Sequence, residues 1–273
     1  MKITLNILLL FVLFQSTAQN LVPNPSFEDF STCPTSWGSL GLANSWTVPV
    51  ILLTPDYFNT CALPISTVSP PNNFPGYSWP ATGEGFVGLL TFGANSYGRE
   101  FIESELISPL TAGETYEISF KYSCADSMNY SVGALGIYLS TSYESWNIYQ
   151  LSVTPQIEAT SSLSDTSDWI TFSQNYIAQG GEKFITLGNF RTDSLTIVDT
   201  INNYPGSNHE YSYHYIDDVS IVSTIGIEEN QSSSKNELIK IIDTLGRETE
   251  DKPNTLLIYI YSDGTIEKVF RVE

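Results

Sequence analysis

The sequence predicts an all-β chain: a two-sheet jelly-roll sandwich followed by a small C-terminal β unit. Three observations predict it. Beyond the apolar leader no segment carries a helical apolar period. Short alternating or β-branched runs recur between Gly, Pro and Asn turns. A Ser-rich break then sets off the C-terminal segment.

The leader comes first. Met1-Lys2 precedes an apolar run from 3 to 14, interrupted only by Thr4 and Asn6, and small residues follow at Ser16 and Ala18. One positive charge, a short apolar stretch and a small-x-small site predict a secretory signal peptide over 1–18, cleaved after Ala18. The run is too short to span a bilayer and lacks a basic stop-transfer flank. No other stretch approaches spanning length, so no membrane span is expected in the mature form.

The body, 19–223, holds the strand signals. The clearest cover 86–92, 100–107, 114–124, 134–139, 169–178, 183–190 and 211–222, with short ones at 21–22 and 46–48. Eight or so strands in about two hundred residues suit a single sandwich. Two stretches, 28–44 and 54–85, carry little strand pattern and are rich in proline and aromatic residues. Long ordered loops on a β scaffold are where binding sites sit.

An exported protein with three cysteines is expected to form one disulfide and keep one thiol. Period two along 115–124 puts Tyr116, Ile118, Phe120, Tyr122 and Cys124 on one buried face, so Cys124 reads as a small core residue. Cys33 and Cys61 both lie in the loop stretches and are the expected pair.

Charge excludes one class of partner. The body carries four basic residues, Arg99, Lys121, Lys183 and Arg191, against twenty acidic ones. Such a surface repels phosphate backbones, so nucleic acid is not an expected partner.

A polar linker is expected over 224–236, centred on Gln231-Ser232-Ser233-Ser234. The remainder, 237–273, reads as three strands, with Asp263-Gly264 as a hairpin turn between the last two. So short a unit buries too little to be a robust independent domain.

The tail residues Ile241-Ile242-Asp243-Thr244-Leu245-Gly246-Arg247-Glu248, then Leu257-Ile258-Tyr259-Ile260-Tyr261 and the final Lys268-Val269, resemble the C-terminal sorting domain of type IX secretion cargo in Bacteroidota. The resemblance implies passage through the type IX outer-membrane translocon and an extracellular or outer-surface destination, reached through the periplasm. In the body, Asn20-Leu21-Val22-Pro23-Asn24-Pro25-Ser26-Phe27-Glu28 is similar to the opening strand of carbohydrate-binding, galactose-binding-like jelly rolls. Tyr215-Ile216-Asp217-Asp218-Val219 is similar to their closing strand. That similarity implies the fold and, less directly, a glycan ligand, since jelly rolls host many functions.

Candidate sites follow. Period two places Asp217 on the inward face with Tyr215, Val219 and Ile221. In similar jelly rolls, carboxylates from the two terminal motifs hold a structural calcium. Glu28 and Asp217, with Asp218 as a substitute, are the implied ligands, and calcium is the implied cofactor. The alternative is that Asp217 caps a turn or pairs with a basic residue. Glu103 and Glu105, two apart on one strand, read as a solvated face rather than a glycosidase pair. His209 and His214 fall on opposite faces of an extended strand, which is poor metal geometry. No nucleophile elbow, HExxH or phosphate loop occurs, so the chain is not expected to be an enzyme. Rigid aromatic rings in the loops are the expected glycan platform, with Trp79, Tyr77, Tyr57 and Trp37 as the candidates. Trp146 and Tyr149 sit in a further loop. A non-catalytic glycan-binding or adhesive module is the leading expectation, and a structural or protein-interaction module is the alternative.

Export generates the first prediction. The mature N-terminus, read by terminal sequencing, should be Gln19, and deleting 227–273 should trap the protein in the periplasm. Normal surface delivery of the truncated chain would overturn the sorting assignment.

Overall fold

A computed structural model describes residues 19–50, 53–93, 98–145, 153–224, 238–262 and 265–270. The leader with Ala18, most of the linker, Trp146, Tyr149 and the Asp263-Gly264 turn lie outside the described residues. The chain divides into two compact units, Met1–Gly226 and Ile227–Glu273.

The first unit is a two-sheet β-sandwich. Its strands in chain order are β1 (Trp46–Thr47), β2 (Asp56–Asn59), β3 (Gly85–Gly93), β4 (Phe101–Glu105), β5 (Thr115–Cys124) and β6 (Tyr130–Val132). They continue with β7 (Leu135–Ser140), β8 (Ile157–Glu158), β9 (Ile170–Ile177), β10 (Phe184–Asn189), β11 (Val198–Thr200) and β12 (Tyr211–Ser223). One sheet runs β1-β4-β10-β7-β8. The other runs β11-β6-β12-β3-β2, with β5 also paired to β12 and β9 to β5. Among the described residues no helix is long and apolar enough to cross a membrane.

Seven strands fall where alternating runs predict them, and the short strand expected at 46–48 is β1. The short strand expected at 21–22 is not one. Pro23 and Pro25 lack the N–H a ladder needs. Leu21 instead makes one bond to each side, its N–H donating to Ile221 O and its carbonyl accepting from Ile107 N, both at 2.9 Å. Strand β2 lies inside a stretch read as loop. All four of its residues are buried, so it offers no polar–apolar alternation to read.

The main core fills the space between the sheets. Val87 and Leu89 of β3, Ile118 and Phe120 of β5, and Ile216, Val219 and Ile221 of β12 meet Ile102, Ile137, Ile185 and Leu187 of the opposite sheet. Full burial of each aliphatic or aromatic side chain contributes about 1.5–3 kcal/mol. A second cluster lies on the outer side of the larger sheet, where Phe58, Phe86, Met128, Tyr213 and Tyr215 pack with Ala62 and Val68 of the 60–80 loop. Phe58 and Phe86 stack at 4.9 Å between centroids.

Two expectations about strand phase need correction. Asp217 is fully buried but does not share a face with Val219 and Ile221. A bulge between Asp217 and Ser220, with Asp218 at φ 48°, breaks the period. Tyr215 and Asp217 therefore face the outer cluster, while Val219 and Ile221 face the main core. Glu103 is not solvated either: it is fully buried, while Glu105 is exposed and pairs with Lys183 at 2.5 Å. The Glu103 carboxylate accepts from Thr186 Oγ1 at 2.8 Å and from Glu144 N at 3.4 Å. Segment 141–145 supplies that cover, a contact strand spacing does not encode, and burial pushes the Glu103 pKa up to about 7.

The second unit is a three-stranded antiparallel sheet, β13 (Leu238–Ile242), β14 (Leu256–Tyr261) and β15 (Ile266–Phe270), in the order β13-β14-β15. Its Asp243-Thr244-Leu245-Gly246-Arg247 stretch forms a closed turn. Asp243 Oδ1 accepts from Leu245 N at 2.9 Å and Arg247 N at 3.0 Å, and Oδ2 accepts from Arg247 Nε at 2.8 Å. Gly246 takes the left-handed φ of 80° that this turn needs.

Cys33 and Cys61 are disulfide-bonded, with Cα atoms 5.7 Å apart, and Cys124 is a buried free thiol. Burial pushes the Cys124 pKa up to about 12. Peptide mapping of the native protein should find Cys33 joined to Cys61. Cys124 should resist alkylation until denaturant is added, because a buried thiol supplies almost no thiolate at neutral pH. Fast native alkylation of Cys124 would contradict this packing.

Candidate functional site

The site is built where the 60–80 loop folds over the outer face of the larger sheet. Strand β12 holds that loop from below. Its outward residues recur at period two, and each fastens a different part of the cover. Tyr213 Oη donates to Asp56 Oδ2 at 2.6 Å. Tyr215 Oη donates to Asn73 Oδ1 at 2.6 Å. Asp217 Oδ2 accepts from Ala81 N at 3.0 Å and Thr82 N at 3.1 Å. Gly88 of β3 makes the first contact possible, since a Cβ there would lie 2.2 Å from Tyr213 Oη.

Further ties complete the brace. The disulfide joins the loop to the 28–44 segment. Tyr77 N donates to Asp126 Oδ1 at 3.0 Å, Ser127 N to Pro75 O at 3.2 Å, and Trp169 Nε1 to Trp79 O at 2.8 Å.

On this brace stand four half-exposed rings: Trp37 at 50%, Phe74 at 44%, Tyr77 at 54% and Trp79 at 54% exposure. Trp37 and Phe74 meet with centroids 4.4 Å apart. Trp79 lines two shallow depressions, one with Pro64, Pro70 and Pro71, the other with Tyr77, Ser123 and Trp169. Rings left half in solvent while their backbones are pinned offer flat apolar faces at little ordering cost.

Tyr57, expected among these rings, is not one of them. It is fully buried in the main core, and its hydroxyl donates to Phe27 O at 2.9 Å. It lies on β2 between outward-facing Asp56 and Phe58, so alternation sends it inward. Phe74, three residues before Tyr77 in the same proline-punctuated loop, is the half-exposed ring beside Trp37.

Below Trp37 and Phe74 opens a cavity of about 390 Å³ lined by Asp56, Glu100, Leu90, Met128, Tyr211 and Tyr213. Asp56 Oδ1 accepts from Gly38 N at 2.7 Å. Glu100 accepts from Thr54 N at 3.2 Å and from Leu90 N at 2.8 Å. No feature of the sequence singled out this carboxylate pair, because Asp56 sits in a strand that was not legible and Glu100 lies 44 positions away.

The carboxylates of the terminal motifs meet at the turn 81–85. Glu28 Oε1 accepts from Glu84 N at 2.8 Å and Gly85 N at 2.9 Å. Gly83, at φ 58°, lets the carboxylate close in, since a Cβ there would lie 2.3 Å from Glu28 Oε1. Asp217, from the other side, also accepts from Asp218 N at 2.7 Å, and burial pushes its pKa up to about 8. Asp218 takes a different role, accepting from Thr82 Oγ1 at 2.7 Å and pairing with Lys121 at 2.8 Å. Among the described residues no group of three or more His, Cys, Asp or Glu side chains converges as a metal cage.

His214 is fully buried between Thr91 Oγ1 and Leu163 O, each at 3.0 Å, and burial pushes its pKa down to about 4. It ties β12 to β3 and to the segment at Leu163.

No family model matches the chain, and no curated protein matches it. Among solved structures, the chain is similar to the CBM22-1 xylan-binding domain of Xyn10C from Paenibacillus barcinonensis. Identity is 12% over 76% of this chain and 95% of that one, with a TM-score of 0.40. It is also similar to the K1 cleaved adhesin domain of Lys-gingipain from Porphyromonas gingivalis W83, at 14% identity over 72% and 94% of the two chains and a TM-score of 0.38. A stig cyclase, Fisc from Fischerella sp. TAU, matches at 10% identity over 76% and 98%, with a TM-score of 0.41. A binding domain, an adhesin domain and a cyclase share only chain architecture at this level, so no function passes from them to this chain.

Proposed function

We propose that the mature chain is an extracellular or outer-surface, non-catalytic module that binds glycans, delivered through the type IX translocon by its 227–273 tail. The observation that carries the binding reading is a set of four half-exposed rings on two braced segments, Trp37 on 28–44 and Phe74, Tyr77 and Trp79 on the 60–80 loop that Tyr215 of β12 pins at Asn73. Sugars present flat C–H faces with hydroxyls around them, and rigid aromatic faces beside fixed polar groups suit them. A loop that served only to plug the core would bury its rings, as Phe58 and Tyr57 are buried.

Calcium belongs to the same proposal, at the turn 81–85 behind Trp79. Glu28 and Asp217 offer carboxylate oxygens, the donors calcium takes, and among the described residues neither pairs with a cation. Backbone carbonyls would supply the remaining ligands. An ion there would neutralise a buried carboxylate and hold the turn that follows Trp79. Chelation should lower the melting temperature of the wild type, since an ion bound only to the folded state stabilises it. Asp217→Ala should remove that dependence. A melting curve indifferent to chelator would remove calcium from the account.

Trp79 tests the glycan reading. Being half exposed, its loss should shift the melting temperature by only a few degrees, whereas loss of a core ring costs about 3–5 kcal/mol. Trp79→Ala should weaken binding to an extracellular polysaccharide about tenfold, the equivalent of one stacked ring. Unfolding of Trp79→Ala would show the ring to be structural. A wild-type chain that binds nothing across a broad polysaccharide array would favour the structural or protein-interaction alternative.

A further inference from the structure

The cavity under Trp37 and Phe74 has a property the glycan reading does not explain: its walls bring two carboxylates out of water together. Asp56 is 9% exposed and Glu100 is 8% exposed. Burying an ionised carboxylate is costly, and a second one beside it adds repulsion. Burial, then the neighbouring Asp56, pushes the Glu100 pKa up to about 8, and burial raises Asp56 as well.

Among the described residues no Lys or Arg pairs with either group. Arg99, next to Glu100 in sequence, is committed to Asp193 and Thr196. The charge is also not a by-product of strand structure. Both side chains are held by dedicated donors, Gly38 N and Tyr213 Oη on Asp56, Thr54 N and Leu90 N on Glu100. The scaffold thus places two acids in the lining of one opening and, among the described residues, pairs neither with a cation.

The mouth of the opening is aromatic. Trp37 and Phe74 line it at 4.4 Å centroid separation, and Tyr211 lies on the wall. An ammonium group over such ring faces gains about 0.5–2 kcal/mol, and it would also supply the missing countercharge below. The acidic excess of the body raises the local concentration of cations. A neutral sugar uses the rings but gives neither acid a countercharge. A multivalent metal would find two carboxylates and a phenol, with no third acidic, imidazole or thiol side chain.

We propose that this cavity binds a protonated primary amine carried on a sugar, so that the glycan ligand contains a free, non-acetylated amino sugar. The inference rests on the glycan reading above, and the experiment separates the two.

Titration calorimetry of the mature chain would compare short oligomers of glucosamine with the N-acetylated oligomers of the same length. The free-amine form should bind at least about tenfold more tightly. Asp56→Asn keeps an oxygen for Gly38 N and a partner for Tyr213 Oη while removing one charge. It should bring the two oligomers to near parity and leave the melting temperature unchanged or higher. Trp37→Ala, a half-exposed position, should weaken the free-amine oligomer more than the acetylated one, and it serves if Asp56→Asn fails to fold. Equal wild-type affinity for both oligomers overturns the amine inference and leaves the glycan reading standing. A free-amine preference that survives both substitutions places the recognition elsewhere on the acidic surface and also overturns it. Binding of neither oligomer, with binding of neutral polysaccharides intact, removes only the amino sugar, whereas silence toward every glycan removes both readings.

Discussion

Strand β12 is the constraint on which the site depends, and its bulge decides what the strand does. Before the bulge, Ile216 turns to the main core while Tyr213, Tyr215 and Asp217 turn to the outer cover. After it, Val219 and Ile221 occupy the core-facing phase. One strand therefore serves two layers. Its upstream outward residues fasten β2 at Asp56, the 60–80 loop at Asn73 and the turn 81–85, three points spaced by about 7 Å steps along a single rigid element. A loop tied at that spacing has few ways to move, and that allows its rings to stay half exposed without collapsing inward.

The same arrangement explains the unusual polar burial. Asp217 and the Asp56–Glu100 pair are all buried, and burial raises the pKa of each. Each accepts from at least one backbone N–H outside the strands, Ala81 and Thr82 on Asp217, Gly38 on Asp56 and Thr54 on Glu100, so the carboxylates organise irregular backbone where no sheet ladder can. Such buried carboxylates favour protonation. Their contribution to stability is therefore fully present below the unfolded carboxyl pKa of about 4 and declines as pH rises toward about 8.

The second unit obeys a different economy. Its three strands bury Leu257 and Tyr259, while Leu238, Ile239, Leu256, Ile266 and Phe270 remain exposed. A three-stranded sheet with so little covered gains little from its own core. Local order comes instead from the Asp243 turn, whose carboxylate gathers Leu245 N, Arg247 N and Arg247 Nε. That bonding gives a physical role to the Asp, Gly and Arg of the tail motif.

Local signals in the chain determined the all-β class, seven of the strands, the Cys33–Cys61 pair and the burial of Cys124, because alternation and turn chemistry are set by neighbours a few residues apart. They placed Trp37, Tyr77 and Trp79 correctly in loops and placed Tyr57 there wrongly, because its strand is buried on both faces and so shows no alternation. Only the tertiary structure decided the rest. The bulge that puts Val219 and Ile221 out of phase with Asp217 lies in the pairing with β5, the burial of Glu103 depends on a segment some forty positions away, and the Asp56–Glu100 cavity brings together residues 44 positions apart beside Tyr213. Each of these is a long-range contact, and periodicity reports which face a side chain takes only until a bulge or a covering loop changes what that face meets.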